Sequence, residues 1–388
     1  MKNLRAAACL ILLAATAAQA EGMAKMAMPK VELGSSAAFA ADGSLLAVSK
    51  QGGHVVLQKS LDEGRSWSAP VTINATPEAI AADGEGRPKI VVTPDGAVLV
   101  SWTKPLSKPY SGDVRLARSE DGGASFSAPL TVHRDRQEIT HRFDALTVGR
   151  DGRVYVTWID KRDLEIAKAE KKAYRGAAIY AAVSDDGGRS FQPEVKVADH
   201  SCECCRIATA IDKDGAPLLL WRHVFEPNER DHAIVKLKAD GSPEGVERAT
   251  FDRWKIDACP HHGPSLAVAA DGTRHAVWFD QVNGEGHVFY GRLRSGRVEG
   301  QRTIGGERAA YADIVVTGRR VAIAWKEFDG ERTQLRAELS EDGGKSFSPL
   351  NLAAAHGASD QPRLLTRDDV LYVFWRSEHE GMRVFPLR

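Results

Sequence analysis

The sequence predicts an all-β propeller of four-stranded antiparallel blades, seven of them, on three observations. A motif of the form S-x-D-x-G-x-S followed by Phe or Trp recurs four times along the chain. A second repeat runs in phase with it: an apolar segment, a turn built on Asp-Gly or a relative, then an alternating strand that leads into a tryptophan. No linker divides the chain, so residues 21–388 read as one domain. Short strands bounded by turn residues and repeated at even spacing are the mark of a propeller.

The first repeat reads Ser60, Asp62, Gly64, Ser66, Trp67; then Ser119, Asp121, Gly123, Ser125, Phe126. It returns as Ser184, Asp186, Gly188, Ser190, Phe191 and as Ser340, Asp342, Gly344, Ser346, Phe347. Its physics is that of a tight hairpin. The aspartate accepts backbone N–H groups of the turn, glycine takes positive φ, and the aromatic ring packs back into the blade. The second repeat turns at Asp95-Gly96, Asp151-Gly152, Asp214-Gly215 and Asp271-Gly272, and its tryptophans are Trp102, Trp158, Trp221, Trp278, Trp325 and Trp375. Together the repeats place first strands near Ala38, Lys89, Ala145, Ile207, Leu266, Ile314 and Arg363. The last unit runs out of chain after three strands, near Phe385, and Pro29 to Leu33 is expected to supply its fourth strand and close the ring. The hairpins near Asp240-Gly241 and Ser295-Gly296 lack the motif. Leu164 to Arg175 has helical composition and decorates one loop.

The N-terminus reads as a secretory signal: Lys2 and Arg5, an apolar run from Ala6 to Ala18, and an A-x-A site that puts cleavage after Ala20. The run is too short to span a membrane, and no transmembrane segment follows. A periplasmic or secreted protein is expected. Lys plus Arg and Asp plus Glu number 52 each; without Lys2 and Arg5 they stand at 50 against 52. That balance, with charges interspersed, argues against nucleic acid or an anionic membrane as partner.

Strand alternation sorts the loops into two faces. The Asp-Gly turns and the S-x-D-x-G motifs share one face. The residues after each tryptophan share the other with the links that precede each first strand, near the central channel. Every cysteine that remains after cleavage lies in two adjacent links of that second face: Cys202, Cys204 and Cys205 before blade 4, Cys259 before blade 5. With His261 and His262 they make a thiolate and imidazole set suited to a soft metal, copper first and zinc as the alternative. His141 and His200 are weaker candidate ligands, as are Met23, Met26 and Met28, whose thioethers suit copper(I). The same four cysteines equally suit two disulfides that staple two loops in an oxidising compartment.

The S-x-D-x-G-x-S-aromatic repeat is the Asp box, and through it nearly the whole chain after the signal resembles the sialidase (BNR-repeat) superfamily. The C-x-C-C segment at Cys202 to Cys205 and the C-P-H-H-G segment at Cys259 to Gly263 resemble an exported subgroup often labelled exo-alpha-sialidase. Six blades is the sialidase norm and stands as the alternative to seven. The resemblance implies an arginine triad for a substrate carboxylate, a tyrosine nucleophile paired with a glutamate, and an aspartate acid/base. Tyr311, Arg206, Arg222 and Arg376 are the positions that match such roles. The family's N-terminal [FY]-R-I-P motif is missing: the matching stretch runs from Gly34 to Ala40, and Arg87-Pro88 one blade later is the nearest fragment. Three functions stay open: a soft-metal-binding propeller acting in metal uptake, buffering or delivery; a glycoside hydrolase of exo-alpha-sialidase type acting on an acidic glycan; and a protein- or glycan-binding propeller with structural disulfides. For the first, the resemblance implies a membrane receptor or a metal-handling protein as partner.

Overall fold

The computed structural model describes residues 31–388. The signal segment with its cleavage site, Met23, Met26 and Met28, and Pro29 and Lys30 lie outside the described residues. Seven antiparallel sheets follow one another in chain order. Their first strands are Ser35–Phe39, Lys89–Val92, His141–Val148, Ala208–Ile211, Ser265–Val268, Ala309–Thr317 and Arg363–Arg367, at the seven places the repeats indicate. They are the blades of an all-β propeller.

Blades 1 to 6 each have four strands. Blade 7 has three among the described residues: Arg363–Arg367, Val370–Ser377 and Gly381–Leu387. Val31 to Leu33 form no strand, and the rest of the expected closing strand lies outside the described residues. Side chains join blade 1 to blade 7 directly. The Ser35 backbone N–H and hydroxyl donate to Asp360 Oδ2 at 2.9 and 3.1 Å. The Trp67 ring meets Phe374 edge-on at 6.3 Å between centroids.

Strands buried between neighbouring blades read as continuous apolar runs, because both of their faces are covered. Val154–Asp160 and Ala177–Ser184 are buried throughout, whereas the outer strand Arg297–Ile304 of blade 5 is mostly solvated. The core is accordingly seven clusters, one at each blade interface, including that between blades 7 and 1. All six repeat tryptophans are buried in it.

The Asp boxes are near copies of one another. In the first, Ser60 Oγ donates to Asp62 Oδ1 at 2.8 Å and accepts the Gly64 N–H at 2.8 Å. Asp62 accepts the Ser66 N–H at 2.8 Å and its hydroxyl at 2.6 Å. The other three repeat these bonds. The expectation for the ring is corrected in one respect: it packs into the interface with the preceding blade. Phe126 joins the cluster between blades 1 and 2, Phe191 that between 2 and 3, and Trp67 that between 7 and 1. The box glycine explains why. At φ +93° Gly123 faces Leu57 of blade 1, and at φ +90° Gly188 faces Leu99 of blade 2, so the turn lies flat on its neighbour.

The helical insert is the helix Arg162–Ala169. It begins two residues before the compositional stretch, where Asp160 Oδ1 accepts the Arg162 N–H at 2.9 Å, and ends at Ala169 rather than running to Arg175. No helix among the described residues is long and apolar enough to cross a membrane.

Candidate functional site: the channel mouth and the cysteine cluster

The first strands line a central cavity of about 300 Å³. Two of these strands carry a bulge at the end facing the links. In blade 3 the ladder slips between Thr157 and Ile159, opposite Phe143 at φ +55°; in blade 6 it slips between Ala310 and Asp313, around Tyr311 at φ +58°. The extra residue turns a carboxylate toward the neighbouring blade. Asp144 thereby accepts from Ser101 at 2.6 Å and Lys89 at 3.2 Å, and Asp313 accepts from Ser265 at 2.6 Å and the Leu364 N–H at 2.8 Å.

At the channel mouth a buried charge network ties four links together, and Glu85 is its hub. Glu85 Oε1 accepts from Arg206 Nη1 at 2.8 Å and from Gln361 Nε2 at 2.9 Å; Oε2 accepts the N–H groups of Arg206 at 2.8 Å and Gly263 at 2.9 Å. Arg206 gives its other donors to Pro264 O at 3.0 Å, Ala312 O at 2.9 Å and Gln361 Oε1 at 2.8 Å. Arg87 lies alongside, bonded to Asp360 Oδ2 at 3.1 Å and Ser35 O at 2.8 Å. The glycine of C-P-H-H-G belongs to this network: a Cβ on Gly263 would stand 2.3 Å from Arg206 Cγ and 2.7 Å from Glu85 Oε2. Glu85, Asp360 and Gln361 were not among the residues the sequence singled out. The signal for Glu85 is its place between Gly84 and Gly86: a Cβ on Gly84 would stand 2.4 Å from the Gln361 amide nitrogen.

The cysteines meet beside this hub. The Sγ atoms of Cys202, Cys204 and Cys205 lie within 4.8 Å of one another, with Cys202 and Cys205 each 3.9 Å from Cys204. All three are buried and unbridged, and Cys259 is exposed and unbridged. The Cys259 thiol, from the next link, interacts with Cys202 and Cys204. Cys202 is held by its backbone: its N–H donates to Arg222 O at 2.9 Å. The neighbouring Cys204, Cys205 and Cys259 thiols, with Arg222 adding positive field, pull the Cys202 thiol well below the usual value. Its thiolate in turn raises Cys204 and Cys205, and holds Cys259 up at about 11. Arg230 Nη1 stands 3.6 Å from Cys202 Sγ, a cation that sequence reasoning did not flag.

The candidate histidines stand apart from the three sulfurs. His262 is stacked between Phe279 at 4.2 Å and Tyr311 at 4.4 Å; its Nδ1 finds no hydrogen-bond partner, and burial lowers its pKa to about 4. His261 is exposed at φ +53°. His141 stacks on His133 at 4.0 Å and bonds Gly112 O at 3.1 Å. His200 bonds Arg175 O at 3.2 Å.

Of the positions matched to a sialidase, Tyr311 is half-buried at the mouth, stacked on His262, with Lys326 Nζ 5.1 Å from its ring centre. Burial raises its hydroxyl pKa, and Glu85 adds to the rise. Arg206 is engaged as described. Arg222 is wholly buried, donating to Arg230 O at 2.8 Å and to Phe279 O, 3.6 Å from Asp280 Oδ2 and over the Trp254 ring at 5.2 Å. Arg376, in blade 7, keeps Nη1 without a hydrogen-bond partner.

Neither the family models nor the curated proteins compared with the chain give a match. Solved structures do. An ulvan lyase, a polysaccharide lyase bound to a glucuronate and sulfated rhamnose oligosaccharide, aligns over 91% of this chain and 94% of its own, at 12% identity and a TM-score of 0.59. A protein of unknown function from Dyadobacter fermentans covers 79% of this chain and 93% of its own, at 14% identity and TM-score 0.53. The alpha-L-arabinofuranosidase of Fusarium graminearum covers 92% of both, at 13% identity and TM-score 0.51. At such identities the likeness is one of fold.

Proposed function

We propose that Cys202, Cys204, Cys205 and Cys259 bind a soft metal, copper(I) first and zinc(II) as the alternative. On this reading the chain is an exported, sialidase-like propeller that takes up, buffers or delivers the ion, with a metal-handling protein or membrane receptor as partner. The observation that carries it is the convergence of three buried sulfurs within 4.8 Å, with a fourth thiol from a separate link at the surface. Thiolates select copper(I) and zinc. Ligation requires their deprotonation, and Arg222 and Arg230 supply positive charge beside the most acidic of the four. On this reading the ligands are the thiols, and His262, stacked between Phe279 and Tyr311, serves as a ring wedged between the links.

The test uses reduced protein lacking residues 1–20, kept free of oxygen. Copper(I) and zinc(II) are titrated against chromogenic chelators, and free thiols are counted before and after. One ion per chain with protection of the thiols is expected, and Cys204→Ser should lose it. No bound metal in the fully reduced protein overturns the reading, and absence of free thiols in the protein before reduction assigns the four cysteines to disulfides instead.

A second reading, a hydrolase of sialic acid or another acidic sugar, is favoured by Tyr311 at the channel mouth, where the charges of Glu85 and Arg206 act on its hydroxyl. It meets a physical difficulty: two of the three arginines that would hold a substrate carboxylate, Arg206 and Arg222, already hold Glu85 and backbone carbonyls. Hydrolysis of a fluorogenic sialoside by the natural chain, abolished in Tyr311→Phe, is the outcome this reading requires; no turnover removes it.

A further inference from the structure

The link that carries Cys259 begins with a second cluster of a different chemical kind. Oxygens of Asp231, Asp252 and Asp280 lie within 4.8 Å of one another at the interface of blades 4 and 5. Each comes from a different segment. Asp231 immediately precedes the strand His232–Lys236 of blade 4, Asp252 follows the strand Glu247–Arg248, and Asp280 lies near the end of Arg274–Val282 in blade 5. Asp231 and Asp280 are fully buried, and Asp252 is partly open to solvent.

The protein's own donors fill Asp252 and Asp231, the latter paired with both Nε and Nη2 of Arg248, and leave Asp280 Oδ2 open. Asp252 accepts from Trp278 Nε1 at 2.9 Å and Gln301 Nε2 at 2.8 Å. Asp231 accepts from Arg248 Nε at 2.8 Å and the Arg253 N–H at 3.0 Å. Asp280 Oδ1 accepts the Gln281 N–H at 3.0 Å, but its Oδ2 is wholly buried with no hydrogen-bond donor; Arg222 Nη1 is 3.6 Å away. Glu229 adds a fourth carboxylate nearby, bonded to Arg248. An oxygen so buried, beside two other carboxylates, calls for a proton or a cation to offset its burial.

We propose that Asp231, Asp252 and Asp280 form a site for a hard divalent cation, calcium before magnesium, which fastens the start of the 249–264 link to blades 4 and 5. Oxygens around calcium at about 2.3–2.6 Å stand up to about 5 Å apart, a span that the cluster matches. Magnesium keeps most of its water and takes one or two carboxylates, so three protein carboxylates favour calcium. Asp252 is the open ligand through which the ion enters. The site is all oxygen and does not depend on the sulfur cluster.

The experiment uses the same reduced protein, freed of divalent ions by chelation. Terbium(III) stands in for calcium, and its emission is excited through Trp278, whose indole bonds a ligand. Saturable emission at one terbium per chain is expected, displaced by calcium at lower concentration than by magnesium. Calcium should also raise the melting temperature. Asp252→Asn, which keeps an acceptor for Trp278, should lose at least tenfold in terbium affinity while melting cooperatively, and Cys204→Ser should leave terbium binding unchanged. No sensitised emission, or emission unaltered in Asp252→Asn, overturns the proposal. A cluster that holds a proton instead would show itself as stability independent of calcium at every concentration.

Discussion

The Asp-box face and the link face of blades 4 and 5 treat their polar side chains in opposite ways. In the boxes, each serine hydroxyl and aspartate finds its partners within four residues, four times over. No box residue is among the buried polar atoms left without a hydrogen bond in the described residues. Blades 4 and 5, the two without a box in their third turn, hold or border six of those atoms: Trp221 Nε1, Arg222 Nε, His223 Nδ1, His232 Nε2, His262 Nδ1 and Asp280 Oδ2. The repeat tryptophans make the contrast within one residue type. Trp102, Trp158, Trp278, Trp325 and Trp375 all donate to an acceptor, while Trp221, packed among the buried cysteines, has none. An unpaired buried polar group costs about 1–3 kcal/mol. Six in one region mark it as built for something other than stability.

The sharpest way to break this comparison is at Glu85, where the link face is fully paired. Its side chain is 4% exposed and that of Arg206 10%. Glu85→Ala leaves the guanidinium buried without its counter-ion and is expected to destabilise by about 3–5 kcal/mol, read as a fall in the urea midpoint. Replacing both partners, Glu85→Ala with Arg206→Met, should recover part of that loss, because the unpaired charge goes with it. An effect of Glu85→Ala no larger than that of an Asp-box substitution would mean that the hub does not join the links as described.

What the sequence made legible follows the same division. The boxes and the tryptophan series located every blade, because a hairpin satisfied by its own residues carries its whole signature within eight positions. The gathering of the cysteines at one mouth was legible too, since strand alternation fixes which loops share a face. The pairing of Glu85 with Arg206, 121 positions apart, was not: no local pattern distinguishes a carboxylate that crosses the channel from one on the surface. The surroundings of His262 were hidden for a related reason: three residues after Cys259 it reads as a ligand, and its stacking partners Phe279 and Tyr311 arrive from later strands. The acidic trio was hidden because Asp231, Asp252 and Asp280 come from three segments and share no motif.

The smallest effects separate the box aspartates from the buried histidines by pH. Burial holds His133 down at about 3 and His223, His262 and His275 at about 4, against 6.5 for a free imidazole. For a base whose folded pKa is lowered, the neutral form favours the fold. That contribution is complete above 6.5 and is lost as pH falls from 6.5 toward 3–4. In the boxes, hydrogen bonds from Ser66 and Ser125 hold Asp62 and Asp121 at about 2 against 3.8. Their contribution is complete above 3.8 and is lost only as pH falls from there toward 2, and full exposure to solvent keeps it small. Melting temperature followed against pH should therefore begin to fall below 6.5, before any box aspartate takes up a proton. His133→Gln should flatten the curve between 6.5 and 4, and Asp121→Asn should alter it only below 4. If Asp121→Asn changed the slope above pH 5 as much as His133→Gln, acid sensitivity would belong to the repeat rather than to the buried histidines.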